Sequence, residues 1–315
     1  MIIAITLYSC AALMATGGAW LLREAAWPAQ APRVAIAVWQ ALATSVLLSV
    51  TLGSVALSVR LHLDSRDIAQ LFHICVQNLR TAYATPGDAA TTTIALVVLV
   101  LVSARAAWGV STALRRAARD RRRQLQILDL VARRDPELDV LVLDHPTAAA
   151  FCLPGRNQNI VVTASALAVL TRAEVHAVLA HEKAHLRGRH HLLLAVSQGL
   201  VRAFSGVPVF VWGDQQVRRL VELVADDQAC RHHRKSDIAN AILQLAHSSA
   251  PAAALALGAE AVALRLHRLT GRRRQLRRTT HSILCALVAA TLIAPVVLAA
   301  FPAFLLAGMD YCGLT

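Results

Sequence analysis

Residues Thr171 to His185 read Thr-Arg-Ala-Glu-Val-His-Ala-Val-Leu-Ala-His-Glu-Lys-Ala-His, and this stretch organises the rest of the chain. Thr171 and Glu174 have the spacing of a capping box, and Leu170 with Val175 has that of a hydrophobic staple, so a helix is expected to start here. Val175, Val178 and Leu179 give that helix an apolar face. His181 and His185 are one turn apart on one side of it, with Glu182 beside them. Two imidazoles so placed can close on one metal ion. Such an ion lowers the pKa of a bound water to about 7, and a neighbouring carboxylate can take the proton as that water attacks a polarised carbonyl. His181 and His185 are therefore the expected metal ligands and Glu182 the expected general base. One Zn2+ per chain is the expected cofactor.

The third ligand has two candidates. Continuing to His191 completes an HExxHxxGxxH spacing, but that pattern comes with a methionine turn beneath the metal. The three methionines, Met1, Met14 and Met309, all lie in or beside apolar terminal segments. Glu222 is the other candidate and the expected one. On a helix Asp226 follows it by one turn, placed to accept a hydrogen bond from a ligand histidine.

The composition joins two properties that rarely coexist, 56% hydrophobic residues and a net charge of +13 in 315 residues. They are reconciled by segregation along the chain. Four apolar runs, 2–22, 35–59, 92–110 and 282–308, are long enough to cross about 30 Å of hydrocarbon. The first lacks a basic start and is followed closely by the second, so it is read as a span and not as a cleaved signal. Arginines crowd the end of the third span, from Arg115 to Arg123, and the approach to the fourth, from Arg272 to Arg278. The positive-inside rule then makes 113–281 cytoplasmic and puts both termini and the loop of about 60–90 outside. Arg105, near one end of the third span, is expected to snorkel. The Arg-rich run 113–134 reads as one helix touching anionic lipid; it lacks the interleaved aromatics of a nucleic-acid surface, so no direct nucleic-acid partner is expected. A disulfide is conceivable only between Cys75 and Cys312, which share the outer side.

Short strands are expected at 138–144, 149–153 and 159–163, ahead of the metal helix, and an edge strand there could hold a peptide extended across the metal. The run 192–212 is apolar enough to resemble a span. If Glu222 is a ligand, however, that run must be re-entrant, interfacial or packed in the core, with Pro208 as its natural break. From Ser236 to Leu269 the chain reads as Ala-rich helix broken at Pro251, with no expected chemistry.

The fold expected is thus mainly α, a polytopic helical membrane protein of about four spans. It has a three-span membrane region (1–112), a cytoplasmic α+β zincin-like metallopeptidase domain with a small β-sheet (113–281), and a fourth span with a short outer tail (282–315). The four spans, Ala149-Phe151-Leu153-Pro154-Gly155, His181-Glu182 to His185, and Glu222 to Asp226 together resemble the membrane zinc metallopeptidases of the BlaR/MecR type. HtpX and the CAAX prenyl proteases share the HExxH and the later glutamate. The resemblance implies His181, His185 and Glu222 on zinc, Glu182 as base, Asp226 behind a ligand, and a cytoplasmic protein substrate such as a transcriptional repressor. BlaR/MecR sensors carry a penicillin-binding domain after the fourth span, a part this sequence does not extend into, so direct β-lactam binding is not expected. The competing expectations are a quality-control protease of HtpX type and a non-catalytic zinc scaffold.

Overall fold

The computed structural model describes residues 1–58, 86–155, 159–249, 255–271 and 278–312. The loop expected between the second and third spans lies outside these, as do Cys75 and the side chain of Cys312. Helices dominate. The first apolar run is α1 (Ile2–Leu13), a π-helical turn at Met14–Gly18, and α2 (Ala19–Glu24); the second is α3 (Pro32–Ser58). The third span and the Arg-rich run form one helix, α4 (Pro86–Val131), so the expected boundary between 112 and 113 falls inside it. The last apolar run is α11 (Arg278–Cys312). Among the described residues, four helical stretches, Ile2–Glu24, Pro32–Ser58, Ala89–Val131 and Thr279–Phe301, are long and apolar enough to cross a membrane.

The helix leaving the third span was expected to reach Arg134, but it stops at Val131. Ala132–Asp135 instead pairs antiparallel with Val140–Leu143, giving β1 and β2. Pro136 and the left-handed Asp139 (φ 53°) make the reversal, which a helix could not accommodate. With β3 (Ala150–Leu153) and β4 (Asn159–Thr163) the sheet has the order β1-β2-β4-β3, the β2–β4 pair being parallel. One face, Val140, Val142, Ile160 and Val162, packs on Val175, Leu179 and Leu186 of the metal helix. The other, Leu153 and Val161, meets Leu125 and Leu128 at the far end of α4. β3 is left as an edge.

After α5 (Ala164–Val169) come the metal helix α6 (Arg172–Arg187), α7 (His190–Ala203) and α8 (Pro208–Ala229), followed by α9 (Lys235–Ser249) and α10 (Leu255–Thr270). The apolar run 192–212 does not form a span. It is the α7–α8 elbow, broken at 204–207 with Pro208 in the first turn of α8, where its missing N–H costs nothing. The elbow leans on the spans: Leu200, Val209, Phe210 and Val217 share a core with Trp39, Leu42 and Val46 of α3. Against α4 it packs backbone to backbone, since a Cβ on Gly199 would lie 2.6 Å from the Cα of Val110. Small residues at such a crossing let helix backbones touch.

Candidate metal centre

The helix that presents the motif starts where its sequence says. Thr171 accepts from the N–H of Glu174, and the Glu174 carboxylate accepts from the N–H of Thr171 at 2.9 Å. The apolar face of α6 goes down on the sheet, which turns His181, Glu182 and His185 into the cleft on its other side. Chain reversal through the elbow brings α8 back against α6, and Glu222 arrives over the two imidazoles. His181 Nε2 and His185 Nε2 are 3.1 Å apart, and each lies 3.5 Å from a Glu222 oxygen. Ligands about 2.0–2.1 Å from a tetrahedral zinc stand about 3.3 Å from one another. The Glu222 carboxylate thus straddles the pair, with Oε2 toward His181 and Oε1 toward His185, and the two nitrogens and the carboxylate are close enough together to share one ion of zinc's size at the cleft. Nitrogen, nitrogen and carboxylate oxygen are also the donors zinc accepts, so these residues fit the ion.

Asp226, 2% exposed, stands behind this face. Its Oδ1 lies 2.9 Å from His181 Nδ1 but off the N–H axis, so charge more than hydrogen-bond geometry joins them. Burial opposes the His181 cation, yet the Asp226 and Glu222 carboxylates override it and lift the imidazole to about 9. His185 goes the other way, to about 4, chiefly through burial. Burial would raise Glu222 and Asp226 too; His181 and Arg265 outweigh it and hold both carboxyls near 2. Burial raises the Glu182 carboxyl above its ordinary range, as a group that must accept and return a proton requires. Cys152 of β3 lines the same cleft as Glu182, and burial pushes its thiol to about 12, so it is inert as a nucleophile.

Three residues at or beside the site were not anticipated. Arg265 of α10, from a stretch expected to carry no chemistry, grips Asp226 through Nε (2.8 Å) and Nη2 (2.7 Å) and reaches Glu222 with Nη1 at 3.2 Å. Arg268, one turn on, bonds Asp227 and the Leu223 carbonyl. His190, and not His191, touches the metal-side histidines, with its Nδ1 3.0 Å from His185 Nδ1. His191 stays outside the cluster, near Arg121 and Arg189. The reason is local: the chain leaves α6 through Gly188 and the left-handed Arg189 (φ 48°), and α7 begins at His190 itself. The His190 ring packs against Gly188, where a Cβ would sit 2.4 Å from His190 Nε2.

The cleft, of about 520 Å³, runs from edge strand β3 (Ala150, Cys152) to α9 (Ile238, Ile242, Leu245), with the polar cluster at its floor. The family model for peptidase family M48 matches residues 115–281, more than half of the chain and all of these elements. The chain belongs to peptidase family M48. Among the described residues of this M48 chain, His181, His185 and Glu222 are the one group of metal-capable side chains placed to share an ion. A curated relative is the plastoglobule-localized metallopeptidase 48, chloroplastic, of Arabidopsis thaliana. It is 35% identical over 97 residues, 31% of this chain, and the match spans only 26% of that relative's length. No solved structure matches the chain.

Proposed function

We propose that this M48 metallopeptidase is a membrane-embedded zinc endopeptidase that holds one Zn2+ on His181, His185 and Glu222 and works on the cytoplasmic side. The cluster of two imidazole nitrogens and one carboxylate at the cleft, three protein ligands among the described residues, carries the reading, since structural zinc sites usually close all four positions. Zinc in that place supplies a Lewis acid and a water of lowered pKa. Glu182, raised and sheltered, takes the proton of the attacking water and hands it to the departing amine. Asp226 and Arg265 fix His181 and Glu222 in position. β3, unpaired on one side, offers its backbone to an extended peptide and lays it along the cleft. The four apolar helices and the arginines at their ends support a multi-pass chain with cytoplasmic site and outer termini. The resemblance to BlaR/MecR transducers supports a cytoplasmic regulatory protein, such as a transcriptional repressor, as substrate.

Metal analysis of purified protein tests this first. Wild type and His191→Ala should carry about one zinc per chain and Glu222→Ala should lose it. Glu182→Gln should keep the zinc while cleavage falls by a factor of about 10²–10⁴. Zinc lost in His191→Ala and retained in Glu222→Ala would refute the ligand set, and undiminished cleavage by Glu182→Gln would refute the mechanism.

A further inference from the structure

On the outward side of the α4–α7 crossing lies a groove of about 500 Å³ that the peptidase chemistry leaves unused. Leu101, Arg105, Trp108, Thr112 and Arg116 line it at steps of four, three, four and four, one stripe along α4, and Arg202 closes it from α7. The stripe changes character along its length. Its upper end lies beside the exposed Val97, Val100 and Leu101; Arg105 follows one turn below Leu101, then the 70% exposed Trp108, and Arg116 two turns further on, with Arg202 facing them from α7. No carboxylate lines the groove. Arg105 does not simply reach for water: its Nε donates to the Ala203 carbonyl, at the C-terminus of α7, at 2.9 Å. Arg116 and Arg202 are both exposed.

The height of this groove can be read from the tryptophans. The two exposed ones, Trp20 and Trp108, lie at the ends of the first and third apolar runs from which the chain continues toward the peptidase elements. Indole rings gather at the headgroup level of a bilayer, which sets the three arginines among phosphates and Leu101 among acyl chains.

We propose that this groove is a binding site for an anionic phospholipid, whose phosphate sits on Arg105, Arg116 and Arg202 and whose acyl chain follows Leu101 up α4. Arg105 then links the lipid to the end of α7 and so to the elbow from which α8 carries Glu222. The proposal rests on the membrane reading above. Alkaline extraction of membranes tests that reading separately: a chain released by it is not integral, and both ideas fall together.

For the groove itself, native mass spectrometry of the full-length protein in detergent would compare phosphatidylglycerol, phosphatidylcholine and inorganic phosphate as ligands. Retention of phosphatidylglycerol over phosphatidylcholine is expected, weakened about fivefold by Arg116→Gln and again by Arg202→Gln. Arg122→Gln, on α4 but outside the groove, should leave binding and zinc content unchanged. Equal weakening by Arg122→Gln would show diffuse charge and no site. Absence of selectivity between the lipids, or full competition by inorganic phosphate, would equally overturn the assignment.

Discussion

α6 and α10 approach the same cluster of carboxylates and imidazoles from opposite sides, and they are built on different principles. α6 carries its contribution in adjacent residues: the cap, the apolar face and the His-Glu-x-x-His turn all lie within Thr171 to His185. α10 contributes Arg265, which meets Asp226 39 residues upstream and has no local pattern to announce it. A helix can thus present half of a candidate metal site by its own periodicity, whereas charge balance behind the site is a long-range property. The two halves should fail differently when broken.

The largest expected effect on stability comes from α10. Asp226 is 2% exposed and Arg265 is its bidentate partner, with a side chain 17% exposed. Arg265→Ala strands a buried carboxylate and should cost about 3–5 kcal/mol, read as a lowered melting temperature of the metal-free protein in detergent. Arg265→Lys keeps the charge but not the planar fork and should recover only part of it. Full recovery by lysine would mean that net charge alone, and not the two-point grip, holds Asp226.

That contrast follows what could be read in advance. The i, i+4 histidines, the box at Thr171 and Glu174, Asp226 one turn after Glu222, and the strands at 150–153 and 159–163 depend on neighbours in sequence, and all stood in the sequence. Arg265 did not, because an arginine in an Ala- and Leu-rich helix looks the same whether its partner is water or a buried aspartate. His190 was hidden for another reason. Extending the zinc spacing to His191 assumes a particular exit from α6, and the left-handed Arg189 sets a different one. The tight turn at Gly188-Arg189 was the available signal, and only backbone geometry assigns it to one of two adjacent histidines. β1 was missed because Arg133 and Arg134 sit well on a helix; the Pro136 and Asp139 reversal decides against it.

On α6 itself the sharper test is protonic. His181 in the metal-free protein is raised to about 9 from an ordinary 6.5. Its proton therefore stabilises the metal-free fold fully below about 6.5, and that contribution fades as the pH climbs through 9. His185, at about 4, and Glu222, at about 2, are already deprotonated near neutrality. Zinc should then displace one proton per chain at pH 7, with affinity rising about tenfold per pH unit until the imidazole itself titrates. Calorimetry of zinc binding in buffers of different ionisation enthalpy counts that proton. A count of two would mean that His185 also starts charged and that the asymmetry between the two histidines is absent.

The smallest effect expected is at the start of α6, and it asks how self-sufficient that helix is. The two bonds of its box are unequal, 3.4 Å from the Glu174 N–H to Thr171 Oγ1 and 2.9 Å from the Thr171 N–H to Glu174 Oε2. Glu174 is also buried, at 9% exposure, so its carboxylate depends on that bond while the threonine hydroxyl does not. Thr171→Ala should cost about 0.5–1 kcal/mol, at the low end for a cap, and Glu174→Ala more. Neither should change zinc stoichiometry, since His181 lies nearly three turns beyond the cap and is held by Asp226 and the cleft wall. If removing Thr171 alone were to empty the metal site, the histidine pair would owe its geometry to the helix start and not to the partners arriving from α8 and α10.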